Sequence, residues 1–291
     1  MRVAGPPATA LTDLLAGARR RRALFFFLYL CEGAPFGLIW WMLPVLLREA
    51  GTPVERITLL TSLATVPWTV KFLAAPLIDW SSARGIPLRA WIALMQLAMV
   101  AALLPVADLT AAAWPLLLGC LLAHSAFAAL QDVAVDTLAI RAAPAAEFGS
   151  LNGWMQAGML AGRAATAGLG LGLANRYGPV AVVSLMAGLL LASALTMPWL
   201  LRNEPAPERH RPRELLADLR SITTGGVFWL GALFALTAGT AFEAFGALAG
   251  PMFTDLGWPR ESIAGIFAVV SPLAMVAGAL AGGSLGDRFG R

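Results

Sequence analysis

A few ionisable side chains in this chain fall inside long apolar runs: Glu32, Lys71, His124, Asp132, Asp136, Arg163 and Glu243. A charge at the centre of a membrane helix costs about 2.5–3.5 kcal/mol on insertion scales, so each is a functional-site candidate by default. Glu32 and Lys71 each lie about nine residues from one end of their runs, which at 1.5 Å per residue puts both roughly 13 Å deep. Equal depth on neighbouring antiparallel helices predicts an ion pair lining a substrate path, or else a structural pair locking two helices. Lys71 is the only lysine, and its compact ammonium suits a site where a guanidinium would not fit. Asp132 and Asp136 are four apart and share a helix face, while His124 and Gln131, seven apart, share a neighbouring stripe. Two carboxylates one turn apart repel, which prepares one of them to carry a proton, or else the two lie near the cytoplasmic interface as a gate contact with a basic loop. His124 is then a relay candidate or a packed core histidine. Asn152, Gln156 and Arg163 fall on one face at i, i+4 and i+11. Arg163 must turn into the bundle, where its fork suits a carboxylate or phosphate on a substrate, or an internal partner such as Glu243.

The same inventory excludes other chemistries. Cys31 and Cys120 lie in apolar runs and His124 and His210 are the only histidines, so no disulfide framework, metal site or His-x-x-x-His pair is expected. Lys71 is not preceded by glycine, so no phosphate-binding loop is available. No cofactor is expected, and energy must come from an ion gradient or a partner. A membrane-embedded enzyme would need a nucleophile and base on facing helices, and no such motif is recognisable.

The elements that must position these residues follow from composition. The 291 residues are 58% hydrophobic and 13% charged, with mean hydropathy +0.73, against about 25% charge in an average soluble domain. Apolar runs bounded by Gly, Pro and charge predict eight helical spans, at 23–47, 57–80, 90–107, 114–138, 150–173, 179–201, 226–250 and 263–285. With a cytoplasmic N-terminus the outer loops hold only Arg48, Arg56, Arg176 and Arg260, and fifteen arginines lie inside. That bias orients the chain. Arg19 to Arg22 precede an apolar run without a small-residue cleavage site, which reads as an uncleaved first span. The net charge of +4 therefore serves topology, and no nucleic-acid partner is expected.

The chain also repeats itself. Gly51-x-Pro53-x-Glu55-x-Ile57 recurs as Gly257-x-Pro259-x-Glu261-x-Ile263, each copy following a span with a glutamate, Glu32 or Glu243, and preceding an aspartate, Asp79 or Asp287. Six spans separate the copies, so both share one orientation. A parallel six-helix repeat is the layout of the major facilitator fold. The run Gly282-Gly283-Ser284-Leu285-Gly286-Asp287-Arg288-Phe289-Gly290-Arg291 resembles that superfamily's signature loop. The expectation is an all-α polytopic membrane protein with a cytoplasmic segment at 1–22, a complete six-helix bundle at 23–201 and a basic linker at 202–225. The first two helices of a second bundle would follow at 226–291. The second half would then be cut short, a natural eight-span protein being the alternative.

Three segments carry a finer resemblance: Glu32-Gly33-Ala34-Pro35-Phe36-Gly37, Pro67-Trp68-Thr69-Val70-Lys71-Phe72, and Gln131-Asp132-Val133-Ala134-Val135-Asp136. They are similar to the AmpG-type muropeptide permeases and the acetyl-CoA transporters of the same branch, over residues 30 to about 175. The resemblance implies a proton-driven secondary transporter of the inner membrane that imports a cell-wall sugar-peptide or related solute, with protons and lipid as its only other partners. The site residues would be Glu32, Lys71, His124, Gln131, Asp132, Asp136, Asn152, Gln156, Arg163 and Glu243. Asp79, Arg84, Arg89, Asp287, Arg288 and Arg291 would act in gating loops. Two departures, an arginine that comes one turn later than the permeases' own, at Arg163 directly after Gly158-Met159-Leu160-Ala161-Gly162, and a basic cluster reduced to Arg84 and Arg89, leave a siderophore or acyl-CoA-like anion as alternative substrates. A non-transporting accessory subunit is the remaining alternative.

Overall fold

The computed structural model describes residues 15, 17–110, 113–205 and 224–289. The described residues form eight long helical stretches: α1 (Ala18–Glu49), α2 (Val54–Ala83), α3 (Leu88–Val106), α4 (Trp114–Ala142), α5 (148–177), α6 (Pro179–Leu200), α7 (Gly226–Asp255) and α8 (260–289). Each coincides with a predicted span but most run several residues longer, because hydropathy marks only the lipid-facing length while charged ends continue the helix. Five of them, α1 to α4 and α6, are long and apolar enough to cross a membrane. Most of the segment assigned to 1–22 and of the linker assigned to 202–225 lies outside the described residues.

Small residues set the packing. Gly33 and Gly37 on α1 face Gly158 and Gly162 on α5, and a Cβ at any of the four would strike a backbone carbonyl of the other helix: Met159, Arg163, Phe26 or Leu30 respectively. These are two small-xxx-small seams laid against each other, the arrangement that lets backbones touch where no hydrophobic force acts between helices. A second seam joins α5 to α8, where a side chain at Gly149 would meet the Gly283 carbonyl at 2.7 Å. On the other flank α3 packs between α4 and α6, and α2 lies on α4.

Three helices widen into π turns at mid-length, Gly37–Met42 in α1, Ala165–Leu169 in α5 and Ile266–Val270 in α8, and the three turns pack together. Such bulges release backbone groups locally and mark functional stretches more often than chance. In α2 the break is of another kind. Pro67 and Pro76 each remove an amide donor, and between them Lys71–Ala74 tightens to a 3-10 turn. Lys71 therefore sits at a defined step in its helix.

The sequence repeat is also a structural one. Gly51 and Gly257 take φ of 81° and 75°, the left-handed conformation that glycine adopts freely. The amides of Gly51 and Thr52 bond to the Arg48 and Leu47 carbonyls, and those of Gly257 and Trp258 bond to Thr254 and Phe253, each partner shifted by the same 206 positions. Pro53 and Pro259 then start α2 and α8 with the same φ, −59°, and ψ, 142°.

Candidate functional site

The intramembrane charges converge where α1, α2 and α4 meet. Lys71 forms an ion pair with Asp132, so the partner expected from depth alone, Glu32, is displaced. The reason is the 3-10 step in α2, which swings Lys71 toward α4. Glu32 is fully buried beside this pair, within electrostatic reach of Asp132, Asp136 and Lys71. Among the described residues neither of its oxygens has a hydrogen bond of good geometry. Tyr29, one turn before Glu32 on α1, closes the cluster. Its hydroxyl donates to Asp136 at 2.5 Å and lies 3.2 Å from Asp132 Oδ1. Three carboxylates thus share one ammonium and one phenol in a buried site.

Lys71 has a second environment. It lines a cavity of about 230 Å³ with Phe36, Trp40, Thr65, Trp68 and Arg163. Phe36 stacks on Trp40 with centroids 4.4 Å apart and leans on Trp68 at 4.7 Å. The Trp68 indole N–H donates to Ser125 at 2.9 Å, which fixes its ring. Arg163 lies 4.3 Å over the Phe36 ring and Lys71 lies 5.4 Å from the Trp68 centroid. Arg163 is held there by the glycine seam, since Gly37 packs directly on its backbone carbonyl. The cavity therefore offers three aromatic faces and a cation at two corners.

Other predicted residues fall elsewhere. His124 is buried with Nδ1 3.0 Å from the Met99 carbonyl, so it serves the α3–α4 contact and is turned from the carboxylates. Gln131 is fully buried, its amide without a partner among the described residues. Asn152 and Gln156 are exposed on α5 and do not line the cavity with Arg163. The side chain of Glu243 lies outside the described residues, as does Arg291.

Both ends of the bundle are tied. At the end carrying the repeated turns, Arg48 bonds Asp255 at 2.7 Å and Arg260 forks onto Glu49, while also reaching Asn175 at 2.9 Å. Glu49 and Asp255 are equivalent positions of the repeat, so each half presents an acid to an arginine of the other. At the opposite end the Asp287 carboxylate accepts the amides of Gly149 and Ser150 at 2.8 and 2.6 Å, a negative charge on the positive end of α5. Arg288 follows it on α8. Asp79 pairs with Arg141 at 3.1 Å, Arg84 covers the Trp80 ring at 3.7 Å, and Arg89 donates to the Leu201 carbonyl at 3.2 Å. Glu204 accepts the Leu88 and Arg89 amides and caps α3, and Arg21 bridges to Glu147 at 2.7 Å.

Sequence reading missed Tyr29, Phe36, Trp40, Thr65 and the crossed pairs. Tyr29 was findable, since i and i+3 put it on the Glu32 face, and Trp68 sits inside the Pro67–Phe72 motif beside Lys71.

The long apolar helices, the parallel repeat and the buried charges are those of a membrane carrier. The sequence profile of the major facilitator superfamily matches residues 25–291. No solved structure matches the chain. With its profile running through all eight helical stretches, the chain belongs to the major facilitator superfamily, whose members are multi-pass membrane transporters of small molecules.

Proposed function

We propose that this transporter imports an anionic sugar-peptide of the cell-wall type in symport with protons, as the AmpG-type permeases do. The observation that carries the reading is adjacency: the aromatic, doubly cationic cavity shares Lys71 with the buried carboxylate cluster. Aromatic faces suit the apolar side of a sugar ring, and the Arg163 fork suits its acid. Intramembrane carboxylates are the usual carriers of protons in such proteins. About 230 Å³ is below the roughly 300–1,000 Å³ of a whole ligand pocket, so this wall takes one ring with its acidic group. The rest of the solute lies toward the second half, where Glu243 is placed by its span.

In this reading the N-terminus is cytoplasmic in the inner membrane, 23–201 form the first transport domain, 202–225 the linker, and 226–291 belong to the second domain. The turns at Gly51 and Gly257 face outward, and Asp79, Arg84, Arg89, Asp287 and Arg288 work at the cytoplasmic gate. The test is uptake into proteoliposomes of radiolabelled anhydro-muropeptide, with and without an imposed pH gradient, acid outside. Accumulation that collapses with a protonophore supports the reading. Equal filling with and without the gradient overturns proton coupling, and no filling overturns the substrate.

A further inference from the structure

We infer that a membrane phospholipid docks between α1, α5 and α6, with one acyl chain in an apolar cleft and its phosphate on Arg176. The cleft holds about 490 Å³, within the roughly 300–1,000 Å³ of ligand sites. Of its twelve lining residues only Thr166 carries a side-chain oxygen or nitrogen. Small residues open it: Ala34, Gly162, Ala165 and Gly170 present almost no side chain where the three helices meet. The π turn Ala165–Leu169 widens α5 at the same place. Leu169 and Leu185 line the cleft and are 72% and 67% exposed, so it opens sideways to lipid.

Chemistry and length select the occupant. A polar solute would leave its hydrogen bonds unmade against such a wall, whereas apolar cavities stay dry and take up apolar guests. From Gly162, packed on the Leu30 carbonyl, the cleft follows α5 to Leu173. Those eleven residues rise about 16 Å at 1.5 Å per residue. The hydrocarbon core is about 30 Å thick, so the cleft spans the depth of a single leaflet, which is that of an acyl chain.

The headgroup end is charged. Arg176 lies one turn beyond Leu173 and is exposed, its guanidinium 5.3 Å from the centre of the Tyr177 ring, also exposed. This is the rim of the repeated turns, since neighbouring Asn175 bonds Arg260. Arg48 and Arg260 at the same rim are paired with Asp255 and Glu49. Among the described residues no carboxylate pairs with Arg176. A guanidinium fork beside an interfacial tyrosine suits the phosphate of a lipid whose tail fills the cleft.

Cleft and cavity share no lining residue. Ala34 and Gly162 border the cleft while Phe36 and Arg163 border the cavity, as positions one or two apart on a helix point in different directions. The lipid thus braces the α1–α5 seam and leaves the solute site free.

The experiment uses the full chain in detergent with two probes, dioleoylphosphatidylglycerol and dioleoylglycerol, which share their tails and differ by the phosphate headgroup. Retained lipid is read by native mass spectrometry. Binding is read from the rise in Tm, since a ligand of the folded state stabilises it by mass action. Wild type keeps one phospholipid and prefers it to the glyceride about fivefold, the worth of one arginine at an anionic headgroup. Ala165→Trp, whose ring fills the cleft from an exposed position, loses both the retained lipid and the Tm rise. Gly172→Trp, on the same helix but outside the cleft and with open space around it, keeps both. Arg176→Gln binds the two probes alike. Lipid that survives Ala165→Trp, or is lost equally in both tryptophan variants, overturns the inference, as does a headgroup preference that survives Arg176→Gln. A dimer that Ala165→Trp dissolves, with no lipid retained in the wild type, overturns it in favour of a second copy of the chain.

Discussion

The Tyr29 hydroxyl lies 2.5 Å from Asp136 and 3.2 Å from Asp132, so one phenol from α1 holds both carboxylates of α4. Its single proton faces both oxygens, with the Asp136 contact the shorter. The phenol thereby ties α1 to both acids of α4.

Removing that hydroxyl tests the tie. Tyr29→Phe leaves two buried acceptors without their donor, at a cost of about 1–3 kcal/mol. The expected result is a lower Tm in detergent with helical content unchanged. A Tm equal to wild type would mean that Glu32 or water takes over the role.

The seam between α1 and α5 leaves no room for a side chain. Gly162→Ala sets a methyl against the Leu30 carbonyl, and overpacking of this kind costs about 1–3 kcal/mol. Gly172 on the same helix has open space, so Gly172→Ala is neutral or slightly stabilising by helix propensity. Thermal unfolding of the two variants side by side checks the contrast, and equal losses would refute the seam.

The crossed pairs predict a rescue. Glu49→Arg and Arg260→Glu each bring like charges together, and the double exchange restores attraction. Both side chains are partly exposed, 28% and 27%, so the coupling in a double-mutant cycle is only about 0.2–1 kcal/mol. One molar salt should erase most of it.

Asp287 caps α5 from the neighbouring helix. Asp287→Ala uncovers the Gly149 and Ser150 amides and should cost about 0.5–2 kcal/mol, the range for a lost N-terminal cap. Glu204→Ala does the same at α3. The two sites share no partner, so their losses should add in Tm measurements on the double variant.

Helix positions were legible from the sequence because lipid imposes a single rule, a continuous apolar stretch of fixed length, and α1 to α4 and α6 obey it most fully. The repeat was legible because a left-handed turn needs Gly51 or Gly257 and the following helix accepts Pro53 or Pro259 at its start. The pairing of charges was less so. Depth along a helix can be counted from its ends, which put Glu32 and Lys71 level, but rotation about the axis cannot, and the 3-10 step at Lys71–Ala74 turned the ammonium to Asp132. Arg163 and its place in the cavity wall were readable as a buried cation. Asn152 and Gln156 were not separable from it by periodicity, since a face shared on a wheel ignores which neighbours pack on each turn. Phe36 and Trp40 are four apart on α1, and nothing in a one-dimensional reading marks their stacking.

The glycine interlock of α1 with α5 has a mechanical consequence. Two helices whose backbones touch along their length shear or separate only by losing every contact at once, so they travel as one stiff beam. That beam carries Tyr29, Glu32, Phe36, Trp40 and Arg163, and with them half of the cavity wall. Any rocking of the carrier must be hinged elsewhere, and the polar ties at the rim, Arg48 with Asp255 and Arg260 with Glu49, are where it can be. The compliance of the machine is thereby concentrated in two small joints.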